Sequence, residues 1–449
     1  MTTAQYLQGP YRIVSAGIGE APWYMVSFDR GGRCTSPRTA AEIVERAASG
    51  AFTDLILFSH GWNNDWTEAT ERYESFVNGY VAQLASRPPA DRNRRTLLVG
   101  LFWPSKPLTS ARQRGPAIAG DGPGASADPA TAEARADVDE LGLQLDPEKA
   151  DRLYELTQRD RLDPAESREL AELFLPLLTR DGAETGDSGR PDPDDVVRGW
   201  LRLAPTGPVA DLDQLGYYPE GTGGALEAGP ETAGGFSLDP RQIVRALSVW
   251  QMKDRAGVVG EHGVAPMLTQ LLATGVRVHC VGHSFGAKVV LSAVVNASGP
   301  PVRSALLLQP AISYLAFAGQ VPGTDRPGGY RTALQRVELP VLSTFSRNDV
   351  PLTKFYHLAL LRGRDLGEPD FAGEDPPNRY AALGGFGPGG IDAGEVSRVD
   401  ILDPGGSYGL EQKGPRVVGI RATRTIGGHG EVSNPSTWWL LRQLLDAQD

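Results

Sequence analysis

Six short apolar runs, in which apolar and polar positions do not alternate, constrain the fold of this chain more than any other feature. They span residues 54–59, 97–103, 277–283, 304–310, 341–346 and 417–422. A strand with one wet face alternates, whereas a strand covered on both faces does not, and such strands belong to mainly parallel sheets. Two earlier runs, 11–15 and 23–28, bring the expected sheet to eight strands. After 54–59 the apolar period changes. Trp66, Ala69, Tyr73, Phe76, Val77, Tyr80, Val81 and Leu84 recur at helical spacing and form one stripe suited to packing on a sheet. Strand, helix, strand is the signature of an α/β fold with helices on both faces of the sheet.

Two stretches interrupt the alternation. Residues 105–250 open with the Gly/Pro/Ala-rich piece GPAIAGDGPGASADPA and continue into acidic segments. Asp146-Pro147, Asp163-Pro164 and Asp239-Pro240 each pair an N-cap residue with a first-turn proline, and Asp163 with Glu166 matches a capping box. The expected organisation is therefore a core of residues 1–104 and 251–449, with 105–250 inserted as an acidic, mostly helical cap or lid. Residues 363–415, rich in Gly and Pro, read as a long loop with at most a short hairpin.

The charge is unevenly placed. Residues 131–220 hold 22 Asp and Glu against 10 Arg and Lys, enough to account for the whole net charge of −11. That segment repels a phosphate backbone, and no basic cluster with interleaved aromatics appears elsewhere, so no nucleic-acid partner is expected. No apolar run approaches the roughly 20 residues needed to cross a bilayer, and the N-terminus lacks a basic stretch followed by an apolar one. The expectation is a cytoplasmic chain without a membrane span. Cys34 and Cys280, two cysteines in 449 residues, read as reduced thiols and are too few for a Cys-rich zinc or iron-sulfur site. No metal or cofactor is expected. The pattern carries no signal for oligomeric state.

The run 277–283 leads straight into Gly282-His283-Ser284-Phe285-Gly286 and then into an apolar helical pattern, VRVHCVGHSFGAKVVLSAVV. G-x-S-x-G between strand and helix is the sequence of a nucleophile elbow. A sharp turn holds the serine in strained backbone, small flanking residues let neighbouring chain pass close, and the helix N-terminus aims amide N–H groups at an oxyanion. The pattern alone is weak evidence: with 54 glycines, chance supplies on the order of 0.3 matches. Gly405-Gly406-Ser407-Tyr408-Gly409 matches it too, but Asp403-Pro404 precedes it and the polar LEQKGP follows. Context selects Ser284 and leaves Ser407 as a solvent-facing turn.

A serine hydroxyl needs a base. Of six histidines, His279 lies inside a strand, His283 in the elbow itself and His262 in the helical stretch before it. His60 precedes the elbow by a strand and a helix, and His357 falls in the amphipathic run PLTKFYHLALLRG. His429 remains, in the loop TIGGHGEVSN between the last strand and a terminal helix that opens with Asn434-Pro435, where a loop can carry an imidazole to the sheet's carboxyl edge. Asp349, just beyond the run VLSTFS, is placed to orient that base, although an Asp before Val350-Pro351 also suits a turn or N-cap. The order Ser284, Asp349, His429 is the chain order of α/β-hydrolases. For the oxyanion, Phe285 N–H follows the nucleophile directly. The second donor is Trp62 N–H in His60-Gly61-Trp62, with Gly61 N–H the alternative.

Together SHGWNNDWTEATER, GLFWPS, VGHSFG, SRNDVPL and GGHGE resemble an α/β-hydrolase, in particular a group of bacterial serine hydrolases whose substrates are mostly undefined. The resemblance covers residues 54–104 and 250–445 and leaves out the insertion. It implies an α/β-hydrolase fold and cleavage of a small-molecule ester or related acyl bond by Ser284, His429 and Asp349. Carboxylesterase or lipase activity comes first. Thioesterase, amidase and acyltransferase chemistry use the same groups, and a catalytically silent binding module would share the fold. The acidic insertion is expected to disfavour strongly anionic substrates such as acyl-CoA.

Overall fold

Among the described residues, nine strands form one sheet. In chain order they are β1 (Arg12–Ser15), β2 (Glu20–Ser27), β3 (Asp54–Ser59), β4 (Thr96–Phe102), β5 (Arg277–His283), β6 (Ser304–Leu308), β7 (Val341–Phe345), β8 (Val396–Asp400) and β9 (Val417–Arg421). Across the sheet they run β1-β2-β4-β3-β5-β6-β7-β9-β8. Only β1 pairs antiparallel, with β2; every other pairing is parallel. The structure is a computed structural model and describes residues 9–15, 20–62, 64–87, 93–105, 145–157, 159, 161–175, 192–194, 197, 252–356, 381–410 and 414–447.

Eight of these strands coincide with the eight apolar runs. The expected count was one short. The ninth, β8, lies in the segment read as a long loop, where the sequence VSRVD is mostly polar and three of its five residues are exposed. It is an edge strand, paired only with β9. A test for continuous apolar runs finds strands covered on both faces and passes over such an edge. The same segment also carries a short helix, Leu383–Phe386, so its described part is not the featureless loop that its Gly and Pro content suggested.

Among the described residues the α-helices with assigned bounds are α1 (Pro37–Ala48), α2 (Trp66–Ser86), α3 (Pro147–Thr157), α4 (Pro164–Phe174), α5 (Ala265–Ala273), α6 (Gly286–Asn296), α7 (Leu383–Phe386) and α8 (Pro435–Asp446), with a wider π-type turn, Val259–Val264, leading into α5. They cover both faces. On one, Ile43 of α1, Leu268 of α5 and Val290 of α6 pack with Leu55, Leu57 and Cys280 of the central strands. On the other, Tyr73 and Phe76 of α2 and Leu440 and Leu444 of α8 pack with Ile56, Leu98 and Val281. Successive residues of β3 therefore enter opposite cores, which is why its sequence shows no alternation.

In the insertion, α3 opens at Pro147, and α4 opens at Pro164 with the expected capping box between Asp163 and Glu166. The helix start at Asp239-Pro240 lies outside the described residues. Cys34 and Cys280 are free thiols. Among the described residues, no helix is long and apolar enough to cross a membrane and no group of three His, Cys, Asp or Glu side chains is arranged to hold a metal ion.

The topology itself selects one place for chemistry. From β3 the chain passes through α2 to β4 on one side, and from β5 it passes through α6 to β6 on the other. Because α2 and α6 lie on opposite faces, the topology switches between β3 and β5, and the crevice outside the carboxyl ends of strands at such a switch is where open α/β sheets bind ligands.

Candidate active site

Ser284 stands at that crevice. It follows β5 directly and has φ of +55°, in the left-handed region that a serine rarely occupies. The strained residue is held by neighbouring chain: its N–H donates to the Leu308 carbonyl at 3.1 Å, and its own carbonyl accepts from Ala311 N–H at 3.2 Å. The flanking glycines are required by packing. A Cβ on Gly286 would lie 2.2 Å from the Ser59 carbonyl oxygen, and one on Gly282 would lie 2.6 Å from Ala287 Cα.

His429 and Asp349, far apart in sequence, meet Ser284 here. His429 Nε2 lies 2.8 Å from Ser284 Oγ, and His429 Nδ1 lies 2.8 Å from Asp349 Oδ2. A carboxylate accepts, so Nδ1 carries the ring proton and Nε2 offers its lone pair to the serine hydroxyl. All three residues are buried, Ser284 at 1%, His429 at 2% and Asp349 at 0% exposure, so their hydrogen bonds lie away from bulk water. The His429 loop is fastened at its start, where Ser346 Oγ–H donates to the Ile426 carbonyl at 2.8 Å, and beyond it by Asn434, which caps α8.

Asp349 makes a hydrogen bond of each kind that the sequence left open. Its Oδ2 accepts from His429, while its Oδ1 accepts from Leu352 N–H at 3.1 Å and so caps the short helical turn Pro351–Phe355. A third partner was missed. Gln309 Nε2–H donates to Asp349 Oδ2 at 2.8 Å and to the Gly384 carbonyl at 3.1 Å, from a residue that is wholly buried and has φ of +44°. No motif marks Gln309. The available signal was its place, a polar residue at the carboxyl end of an otherwise apolar run.

The proposed oxyanion donors flank the nucleophile. The Gly61 backbone passes so close that a Cβ there would lie 2.6 Å from Ser284 Cβ, and Trp62 is the next residue along the chain. Among the described residues, neither Trp62 N–H nor Phe285 N–H donates a backbone hydrogen bond. Two amides without an acceptor among the described residues, in segments next to a buried hydroxyl, suit an anionic oxygen.

The remaining histidines separate clearly. His279 faces Ser304 Oγ through Nδ1 at 2.8 Å and Asp54 Oδ1 through Nε2 at 3.1 Å, a second Ser-His-Asp array at the opposite, amino edge of the sheet. Arg277 Nε adds an ion pair to Asp54 at 2.9 Å, so this array ties strand starts together. His262 sits in the π-type turn before α5. His357 lies outside the described residues. Ser407 is exposed and accepts only a local bond from Gly409 N–H at 3.4 Å, as expected of a turn.

The arrangement can deprotonate a hydroxyl as it attacks an electrophilic carbon, and can return that proton to a leaving group. Comparison with protein-family models, curated proteins and solved structures finds no match to this chain.

Proposed function

We propose that the chain is a serine hydrolase of α/β-hydrolase type, cleaving a carboxylic ester of a small molecule by way of an acyl-enzyme. The observation that carries this reading is the continuous hydrogen-bonded path from Ser284 Oγ through the His429 ring to Asp349. Ser284 Oγ attacks the carbonyl carbon while His429 Nε2 takes the hydroxyl proton. The carbonyl π electrons move onto oxygen, which the Trp62 and Phe285 amides hold. The bond to the alkoxy group then breaks, and Nε2–H gives its proton to the departing alcohol.

Water repeats the sequence on the acyl-enzyme. It attacks the same carbon, passes a proton to Nε2, and the carbon–Oγ bond breaks as Oγ recovers that proton. One water is consumed, and one acid and one alcohol are released. Asp349 keeps the ring in the required tautomer and stabilises the imidazolium without itself taking the proton. The scheme calls on no metal or organic cofactor.

The test is labelling by a fluorophosphonate probe together with turnover of acyl esters of graded length. Wild type is expected to label and to turn over at least one ester, and Ser284→Ala to lose labelling and roughly 10⁶-fold in turnover. Unlabelled wild type overturns the reading in favour of a silent binding module, and equal labelling of Ser284→Ala overturns it by placing the reactive nucleophile elsewhere. Thioester and amide substrates in the same panel separate the neighbouring chemistries.

A further inference from the structure

The loop that follows β3 is fixed by a buried polar cluster that the relay itself does not use. Asn64, 1% exposed, points its carboxamide back along the loop, and Nδ2 donates to the Gly61 carbonyl at 3.0 Å and to the Trp62 carbonyl at 2.7 Å. Its Oδ1 accepts from Arg72 Nε of α2 at 2.6 Å. Arg72 can only donate, so the atom facing it is the oxygen and the nitrogen faces the two carbonyls. The Asn64 backbone is held from both sides by one hydroxyl: Asn64 N–H donates to Ser105 Oγ, and Ser105 Oγ–H donates to the Asn64 carbonyl, each at 3.0 Å.

A second donor reaches the same carbonyl. Trp103 N–H donates to His60 Nε2 at 3.2 Å, so the proton sits on Nδ1, which donates to the Gly61 carbonyl at 2.8 Å. Gly61 C=O is thus gripped by His60 and Asn64 together. In a trans peptide the C=O and the following N–H point in opposite directions. Fixing Gly61 C=O therefore fixes the aim of Trp62 N–H, at the point where the Gly61 backbone lies against Ser284.

We propose that Asn64 is a positioning residue for the oxyanion hole, its carboxamide setting the direction of the Trp62 amide through the Gly61 carbonyl. This rests on the serine-hydrolase reading above. Asparagine suits the task because one nitrogen carries two protons for two carbonyls while its oxygen takes Arg72. An aspartate of the same shape would still meet Arg72 but would set carboxylate oxygen against both carbonyls, and the loop would turn away.

Asn64→Asp is the direct test. The expected result is a fall in kcat of about 10²- to 10³-fold, the size of losing one oxyanion donor, with KM changed less than threefold. Affinity for a trifluoromethyl ketone or boronate analogue of the tetrahedral state should fall in parallel with kcat/KM, a correlation that loss of structure alone does not produce. If Asn64→Asp does not fold, Arg72→Gln, on the half-buried side of α2, loosens the carboxamide through its oxygen and should give a smaller loss of the same kind. Wild-type kcat and analogue affinity in the folded variant overturn the proposal. Failure of wild type to label with a fluorophosphonate or to turn over any ester overturns the parent reading instead, so the two failures are distinguishable.

Discussion

The imidazole of His283, the residue before the proposed nucleophile, holds the backbone of His429, the proposed base: its Nε2 lies 2.9 Å from the His429 carbonyl oxygen. A carbonyl only accepts, so His283 spends its ring proton on this bond. Burial, and then the positive charge that His429 can carry, push its pKa well below the ordinary histidine value, so it stays neutral. The residue before Ser284 thus fastens the loop that carries His429. His283→Phe keeps a flat ring and loses the bond, and is expected to lower kcat about tenfold to a hundredfold by letting the His429 loop drift. His283→Gln, whose amide nitrogen can replace Nε2, should recover most of that loss. Steady-state ester turnover and the rate of fluorophosphonate labelling check both; equal rates in all three proteins would show that the loop holds itself.

Gln309 gives the second prediction. It donates a charge-assisted hydrogen bond to the oxygen of Asp349 that faces His429, a type of bond worth about 1.5–3 kcal/mol. Gln309→Leu should cut kcat roughly tenfold to a hundredfold with little change in KM, and Asp349→Asn should cost more because it removes the fixed tautomer itself. A double-mutant cycle measures the coupling. Strict additivity of the two losses would mean that Gln309 supports the fold and not the carboxylate.

Much of this site was legible because its parts are bound to local geometry. Ser284 announces itself through Gly282, Gly286 and the change of period from strand to helix, since a turn that tight admits few sequences. His429 and Asp349 were reached by asking which side chains a parallel sheet delivers to its carboxyl edge. What the sequence hid depends on contacts between distant segments. Gln309 bonds to Asp349 and Gly384, far along the chain, Asn64 bonds within its own loop and to Arg72 of α2, and a lone amide side chain carries no spacing rule. Strand β8 escaped for a different reason. Half of its hydrogen-bonding edge and most of its side chains face outward, so its composition is that of a loop while its backbone pairs with β9.

The tight approach of α6 to β3 yields a prediction about stability. A Cβ on Gly286 would meet backbone oxygens of both Ser59 and His60, at 2.2 and 2.4 Å, and backbone has nowhere to retreat in the centre of a parallel sheet. Gly286→Ala should therefore destabilise the protein by about 1–3 kcal/mol and shift the start of α6, lowering turnover through the Phe285 amide as well. Gly319→Ala is the control, since a Cβ there meets nothing within 4 Å and its change should stay within about 0.5 kcal/mol. Urea unfolding of the two variants decides it, and equal midpoints would refute the packing argument.

Three buried histidines make the fold sensitive to mild acid. Burial lowers the pKa of His60 from 6.5 to about 4, and it also lowers those of His279 and His283. A depressed histidine means that, as pH falls below 6.5, the unfolded chain takes up a proton that the folded chain still refuses. Stability is then complete above that value and declines until the folded group protonates, a loss of roughly 3 kcal/mol by pH 4 for His60 alone. Asp54 acts in a different range. Burial would raise its pKa, but hydrogen bonds from His279 and Thr53 and the Arg277 guanidinium hold it well below the usual carboxylate value of 3.8. Its contribution is present above that value and is lost only in stronger acid, so the interval between about pH 6.5 and 4 belongs to the histidines. Urea midpoints taken at about pH 7, 5.5 and 4.5 should fall steadily. His60→Asn, whose amide nitrogen can replace Nδ1, should flatten part of that slope whatever its effect on stability at neutral pH, whereas a wild-type midpoint constant across the interval would show that these rings are not buried as described.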